Sequence, residues 1–539
     1  MLKTLRAIPA SGFAIIVALV ATILSICLHL AFGLHAGALW RDEVTSVEIA
    51  TMPTWSETWS NLPFESFPAL YVGLLRLVVG VPAAASDGQL RIFGVIVGLL
   101  ILAVIWLNAR WLGFGAPLLS LGLIGLNPMV IRYGDSIRAY GLGIFLMLLV
   151  LGAMWRLIES LTPGRIAFAT VVALLAVQCL YYNAVLLGAV SLGGLAVACR
   201  RRQVRTVFVI LAIGGLAALS VVPYLPIIRS VQRWSFIWKT PLTASATWTK
   251  AMETFGSPVS AMGWVWIGIF SVAVVAGGWT FLRKRSIDDR TLFSFVTLIS
   301  GTLVYAGFLK VLSYLTQPWY YIVFLGFAAV CLEMFFASLW PWRALVSRVA
   351  FAAIVAGVTF YPAYAALGAR QTNIDVVAAR VQALANEDDL ILINPFPYGI
   401  SFQYYYHGRA AYCTIPPLDD LRSHRADLLK GQMMAATPMA PLLSEIEGVL
   451  RAGHTVWLVG NVDLIPTGQT PLIVEPGHDG PNGWVGGNFY RAWSEQAGSL
   501  LRNRAEQFER VQVPLAQPVI HYENVPLSAF RGWRSDPSP

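Results

Sequence analysis

Asp42 and Glu43 stand side by side in the run Leu39–Trp40–Arg41–Asp42–Glu43–Val44–Thr45–Ser46, just beyond a long apolar stretch from Phe13 to Leu34. Paired acids at the end of a membrane span can act as a general base or bind a metal. They also suit the first turn of a helix, where carboxylates complement the dipole. Glu65 and Tyr71 follow within Pro63–Phe64–Glu65–Ser66–Phe67–Pro68–Ala69–Leu70–Tyr71, in a loop that also carries Trp55 and Trp59. Glu65 and Tyr71 suit a polar cavity at the membrane face, and the tryptophans suit an interfacial belt. A second constellation runs from Asn127 to Leu142, where Arg132, Tyr133, Asp135, Arg138 and Tyr140 interrupt an otherwise apolar stretch. Ionisable groups at a span end are costly unless paired or functional. Arginine can clamp a phosphate through its planar two-point fork. An Arg–Asp pair closing a tight helical hairpin accounts for the same residues.

Weaker signals lie farther on. Arg229, Arg233 and Lys239 stand with Trp234 and Trp238, a mixture that fits an anionic lipid head or any interfacial loop. Gln317–Pro318–Trp319–Tyr320–Tyr321 is another polar-aromatic break, and Tyr404–Tyr405–Tyr406–His407–Gly408–Arg409 could stack on a sugar or fill a core or an interface. No Walker loop, dinucleotide glycine fingerprint, zinc-ligand spacing or Gly-x-Ser-x-Gly elbow occurs. Nucleotide-driven transport and a soluble nucleotide-sugar donor are therefore disfavoured. No cofactor is expected, and a divalent metal is possible without being indicated.

The elements that must position these residues are membrane helices. Of 539 residues, 57% are hydrophobic and 12% charged, against about a quarter charged in a soluble protein. A larger core cannot absorb that excess, because single cores stop growing near about 300 residues; it must face lipid. The net charge of +9 sits in short clusters between apolar runs: Lys3 with Arg6, Arg200 to Arg202 with Arg205, Arg283 to Arg285, and Arg343 with Arg348. That distribution is a positive-inside pattern and argues against nucleic acid as a partner. Four of five cysteines lie in or beside apolar runs and Cys413 has no partner, so no disulfide framework is implied. The run 13–34 is too long for a signal-peptide core and is expected to remain as the first span.

Candidate spans are 13–34, 69–84, 91–108, 115–131, 139–157, 166–183, 184–199, 206–228, 260–282, 291–312, 319–339 and 346–367. With the Arg200 cluster inside, 229–259 and 313–318 fall outside, and so does everything after residue 370. Counting from Lys3 and Arg6 puts the first loop, 35–68, outside as well. The two walks meet only if 69–84 enters and leaves on one face, as a re-entrant or interfacial segment, or if another span is miscounted. Residues 1–369 thus form a transmembrane domain and 370–539 a soluble one. In the latter, Leu390–Asn394 and Thr455–Gly460 are expected to be strands, and Asn373–Asn386 and Arg491–Glu509 amphipathic helices, giving a small α/β domain.

Taken together, these residues resemble the GT-C glycosyltransferases of the protein O-mannosyltransferase, lipid A aminoarabinose transferase and rhizobial galacturonosyltransferase type. The resemblance rests on the Asp42–Glu43 pair after the first span, on Phe67–Pro68–Ala69–Leu70–Tyr71, on Leu90–Arg91 opening an apolar run, and on Pro128 through Arg138–Ala139–Tyr140–Gly141–Leu142. A tyrosine-rich stretch at 317–321 and a C-terminal domain after the last span fit too. The family has a second proline near 67–71 and an arginine near 317–321 that this chain lacks. The resemblance implies a polytopic helical membrane enzyme of about 11–13 spans, bearing a soluble α/β domain outside the bacterial inner membrane. It implies transfer of a sugar from a polyprenyl-phosphate carrier to a lipid, glycan or protein acceptor. Asp42 would be the base, Glu43 would orient it or the donor, and Arg138, with Arg132, would hold the donor phosphate. Tyr140, Asp135, Glu65 and Tyr71 would line the substrate site. The competing readings are a transporter or flippase of a lipid-linked sugar, and a non-catalytic envelope assembly factor. A transporter should show internal symmetry and ionisable groups near span centres.

Overall fold

The computed structural model describes residues 10–80, 85–239, 243–283, 287–339, 341–466, 469–481 and 483–535. Lys3, Arg6, Lys284, Arg285 and residues 81–84 of the second candidate span lie outside the described residues. Among the described residues, nine helices are long and apolar enough to cross a membrane. Their outward faces carry bare leucine and isoleucine, such as Leu282, Leu303 and Ile354, which lipid must cover because water would penalise that area. The chain is a multi-pass helical membrane protein with a C-terminal α/β domain.

The first helix, α1 (Ala10–His35), is followed by two short helices, α2 (Arg41–Ala50) and α3 (Trp55–Asn61). Helix α3 opens with a capping box. Thr54 Oγ1 accepts from the Glu57 amide at 3.2 Å and the Glu57 carboxylate accepts from the Thr54 amide at 3.1 Å. Next comes α4 (Ala69–Val79), which stops at Gly80 with φ of 76°, a left-handed conformation that glycine adopts freely. Its 11 residues reach about 16 Å at 1.5 Å per residue, half of the roughly 30 Å hydrocarbon layer. Helix α4 therefore cannot cross. Arg76 instead ties it to the preceding loop through the carbonyls of Ala50, Met52 and Pro53. Among the described residues, 69–80 thus holds a helix of interfacial rather than spanning length.

Helix α5 (Asp87–Leu112) crosses the bundle, starting from a Ser86–Gln89 capping box. The return stretch, 118–134, is a broken helix with a π turn at Leu121–Gly125 before Pro128–Gly134. It still runs end to end. At one end the Ala116 carbonyl accepts from Arg348, and at the other Arg132 donates to the carbonyl of Ala366. The helix Pro163–Cys179 is also short but spans between Tyr140–Glu159 and Asn183–Arg200. With these two added, the crossings alternate from α1 to the last long helix, Pro341–Leu367, and the two charge walks agree. Arg348 is a correction within that pattern: it does not face a surface, but is buried with Glu333 at 2.6 Å.

The C-terminal domain holds one five-stranded sheet in the order β2-β1-β3-β5-β4. Strands β1 (Leu390–Asn394), β2 (Ala411–Thr414) and β3 (Val456–Gly460) are parallel; β4 (Gln507–Val511) and β5 (Leu527–Arg531) complete an antiparallel edge. Leu390, Leu392, Val456 and Leu458 face one apolar layer, and Ile391, Ile393, Trp457 and Val459 face the other. Both faces are covered, which is why β1 and β3 read as unbroken apolar runs. The expected helix 491–509 is corrected. Gly486–Arg504 is helical, but Gln507–Val511 is an edge strand whose first four residues are exposed, so its polarity resembles that of a helix surface.

Candidate active site

The first loop is built around α2. The Glu43 carboxylate takes both guanidinium ends of Arg91, at 2.5 and 2.8 Å. It also accepts the amides of Trp40 at 3.2 Å and Ile137 at 2.9 Å. These bonds pin the first turn of α2 to α5 and to the 135–139 turn. Glu65 is equally committed. It accepts from Arg138 at 2.7 Å, from Ser46 Oγ at 2.9 Å and from the Ser66 amide at 3.0 Å.

Asp42 differs from both. Its side chain is 17% exposed, against 0% for Glu43 and Glu65. One oxygen, Oδ1, meets His424 Nε2 at 3.0 Å and the Arg41 Nε at 3.8 Å. Arg138 donates to the main-chain carbonyl of Asp42 at 2.9 Å and to Ser46 Oγ at 2.8 Å, leaving the carboxylate free of it. Burial opposes ionisation of Asp42, but the His424 hydrogen bond and the charges of His424, Arg138 and Arg41 outweigh it. The carboxyl is held well below the ordinary range. Burial also opposes the charge on Arg138, yet Glu65 keeps it above its usual value.

Aromatic rings pack around Arg138. Phe67 lies 4.3 Å from the Arg138 guanidinium and 5.3 Å edge-on from Tyr140. Tyr71 is buried beside Phe67, and among the described residues neither its hydroxyl nor Arg138 Nε has a hydrogen-bond partner. Trp319, from the 317–321 stretch, packs against Trp40, Tyr133 and Tyr522.

The structure thus brings Asp42, Glu43, Glu65, Tyr71, Arg138 and Tyr140 together. Two other expected residues serve elsewhere. Arg132 spends its guanidinium on the Ala366 and Ala369 carbonyls and on Gln371 Oε1 at 2.7 Å, anchoring the end of the last span. Asp135 is buried against His29 at 2.7 Å, a pair that ties the 135–139 turn to α1. In the basic-aromatic loop 229–239 the aromatic residues pack on the C-terminal domain, while Arg229, Arg233 and Lys239 stay exposed. Phe236 packs on Trp484 and Trp238 on Tyr490, and the Arg233 carbonyl accepts from Lys430. Within 404–409, Tyr405 accepts from the Leu39 amide at 2.7 Å and donates to Asp87 at 2.8 Å, while Tyr406 stacks on Phe402. Tyr405 and Tyr406 are thus interface and core, while His407 and Arg409 stay exposed.

Several partners in this site escaped the sequence reading. His424 reaches Asp42 from 382 residues away, and Arg41 pairs with Glu523 at 3.1 Å across the domain junction. The polar loop Asp419–Asp420–Leu421–Arg422–Ser423–His424–Arg425 carries no pattern that points to α2; only proximity of Asp42 reveals it. Among the described residues, no three His, Cys, Asp or Glu side chains gather as a metal-binding group.

No family model and no curated protein matches the sequence. Solved structures do. The chain is similar to ArnT from Cupriavidus metallidurans bound to undecaprenyl phosphate, at 14% identity and a TM-score of 0.46, covering 83% of this chain and 93% of that one. It is similar to an Archaeoglobus fulgidus oligosaccharyltransferase at 14% identity and 0.44, covering 73% of this chain and 62% of that one. The same archaeal enzyme tethered to an acceptor peptide aligns at 12% identity and 0.44, over 94% of this chain and 74% of that one.

Proposed function

We propose that this protein is a membrane glycosyltransferase. It moves a sugar from a polyprenyl-phosphate donor to an acceptor hydroxyl at the outer face of the bacterial inner membrane. The observation that carries the reading is Asp42: a partly open carboxylate at one end of the bundle, beside a buried guanidinium and beneath a soluble domain. A donor with its own lipid anchor needs no nucleotide pocket. It needs a slot among helices, a cation for its phosphate, and a base for the acceptor.

Asp42 supplies the base. Its open Oδ2 receives the acceptor proton as the acceptor oxygen attacks the anomeric carbon. The bond from that carbon to the phosphate oxygen breaks, and the lipid phosphate leaves with the electron pair. One displacement inverts the anomeric centre. Proton removal of this kind contributes about 10² to 10⁴ in rate. Arg138 stays at a fixed offset because it grips Asp42's own carbonyl. Its guanidinium is the cation beside Asp42 for a phosphate oxygen. Glu43 acts through α2, holding the turn that presents Asp42. Tyr71 and Tyr140 line the same space. Sidedness is supported by the shared end of the bundle that holds Asp42, Arg138 and the C-terminal domain.

The test is incubation of purified protein with a panel of polyprenyl-phosphate sugars and candidate lipid, glycan and peptide acceptors, reading release of the lipid phosphate. Release with at least one donor is expected. No release with any donor would favour the transporter or assembly-factor reading.

A further inference from the structure

We infer that His424 positions Asp42, so that the active centre is complete only when the C-terminal domain is docked. This rests on Asp42 being the base. Among the described residues, His424 Nε2 makes the short hydrogen bond to the Asp42 carboxylate, at 3.0 Å on Oδ1. Arg138 binds the carbonyl of that residue, and Arg41 Nε stands off at 3.8 Å. The imidazole therefore decides how the carboxylate is turned. With Nε2–H donated to Oδ1, Oδ2 is left to face an acceptor hydroxyl.

The placement of His424 follows from the sheet. Strand β2 ends at Thr414, and the loop after it runs to the helix Ala426–Met434. Loops at the carboxyl ends of parallel strands are where α/β folds present ligand-facing groups. Here that edge faces the membrane domain, and the loop after β1 brings Tyr398 to 6.0 Å from Arg41. The 419–425 loop is braced on both sides of the histidine. Arg425 pairs with Asp420 at 2.6 Å and with Asp427 at 2.8 Å. Arg422 also pairs with Asp420, at 3.0 Å. The Arg425 guanidinium lies 4.8 Å from the Phe64 ring, one residue before Glu65, the partner of Arg138. The loop that carries His424 thus rests on the loop that carries the rest of the site.

A bare docking contact would look different. Docking is already carried by Arg41–Glu523, by Tyr405 on Leu39 and Asp87, and by the Gln371 amide on the Ala36 carbonyl. A partly exposed ion pair adds little to such an interface, whereas one on the base changes its geometry. During transfer the acceptor proton moves to Oδ2, the acceptor oxygen bonds to the anomeric carbon, and the phosphate leaves with its electron pair. His424 keeps its proton on Nε2 throughout.

The experiment compares full-length wild type, His424→Ala and His424→Gln on whichever donor the wild type turns over. Initial rates are taken against donor and acceptor concentration, and thermal melting checks that each variant folds. We expect kcat of His424→Ala to fall about 10- to 100-fold, as when a group that orients a reacting ligand is lost, with donor KM unchanged. His424→Gln should recover most of that loss, because its amide N–H reaches Oδ1 without titrating. Wild-type kcat in His424→Ala overturns the inference, as does a rise in KM with kcat intact, or a glutamine variant no better than alanine. These outcomes sink the inference alone. A wild type that releases no lipid phosphate from any donor sinks the glycosyltransferase reading, and this inference with it.

Discussion

Asp42, Glu43 and Glu65 lie within one loop, yet their surroundings divide their tasks. Glu43 and Glu65 are buried and saturated by Arg91, Arg138, amides and a hydroxyl. Asp42 keeps an open oxygen and is held ionised. Replacing Asp42 with asparagine keeps the shape and removes the base. Lipid-phosphate release should fall by about 10² or more, with little change in melting at low pH. The pH dependence has a definite sign. A carboxylate whose folded value lies below its unfolded one stabilises the fold above the unfolded value and loses that contribution as pH falls. The melting gap between wild type and Asp42→Asn should therefore be present at neutral pH and narrow below about pH 4. A gap that stays constant from pH 7 down to 3 would contradict the assignment. The sequence marked Asp42 and Glu43 as a pair. It did not separate them, because adjacent residues on a helix point about 100° apart and only the neighbours decide which is covered.

At the scale of elements, α2 is an exposed-looking polar helix made rigid by one buried ion pair. Removing a single partner of such a pair leaves an uncompensated charge and costs about 3–5 kcal/mol. Arg91→Ala should therefore lower the melting temperature of the purified protein sharply and reduce turnover by tilting the first turn of α2. Arg91→Met combined with Glu43→Gln should be milder than Arg91→Ala, because no buried charge is stranded. Equal loss in both would mean the pair matters only for packing. The Leu90–Arg91 motif was visible as a span opening, whereas its grip on Glu43 depends on how α5 stands against α2. Helix α4 teaches the same lesson in reverse. Its apolar residues pass for a span, and what makes it interfacial is length: 11 residues before a left-handed glycine.

For the whole molecule, the end of the bundle that carries Asp42 also carries the soluble domain. Single cysteines placed at Glu57 and at Arg202, in a background lacking the five native cysteines, should report sidedness in intact cells. A membrane-impermeant maleimide is expected to label Glu57→Cys and to miss Arg202→Cys. The reverse pattern would put the site and the soluble domain on the cytoplasmic face, and equal labelling would break the alternation of spans.

Composition and hydropathy alone were enough to specify a multi-pass helical protein with a soluble α/β tail, because burying or exposing apolar area is a local property of each segment. Strands β1 and β3 were legible for the same reason. Asp42 was legible as a candidate because paired acids at a span end can serve as a general base. Arg132 and Asp135 were equally conspicuous, yet their partners, the Ala366 carbonyl and His29, lie far away in sequence. His424 and Glu523 were invisible, since an ordinary polar loop gains meaning only when folding sets it against α2. Which ionisable groups are spent on structure and which remain for chemistry is decided by contacts between distant segments, and those exist only in the tertiary fold.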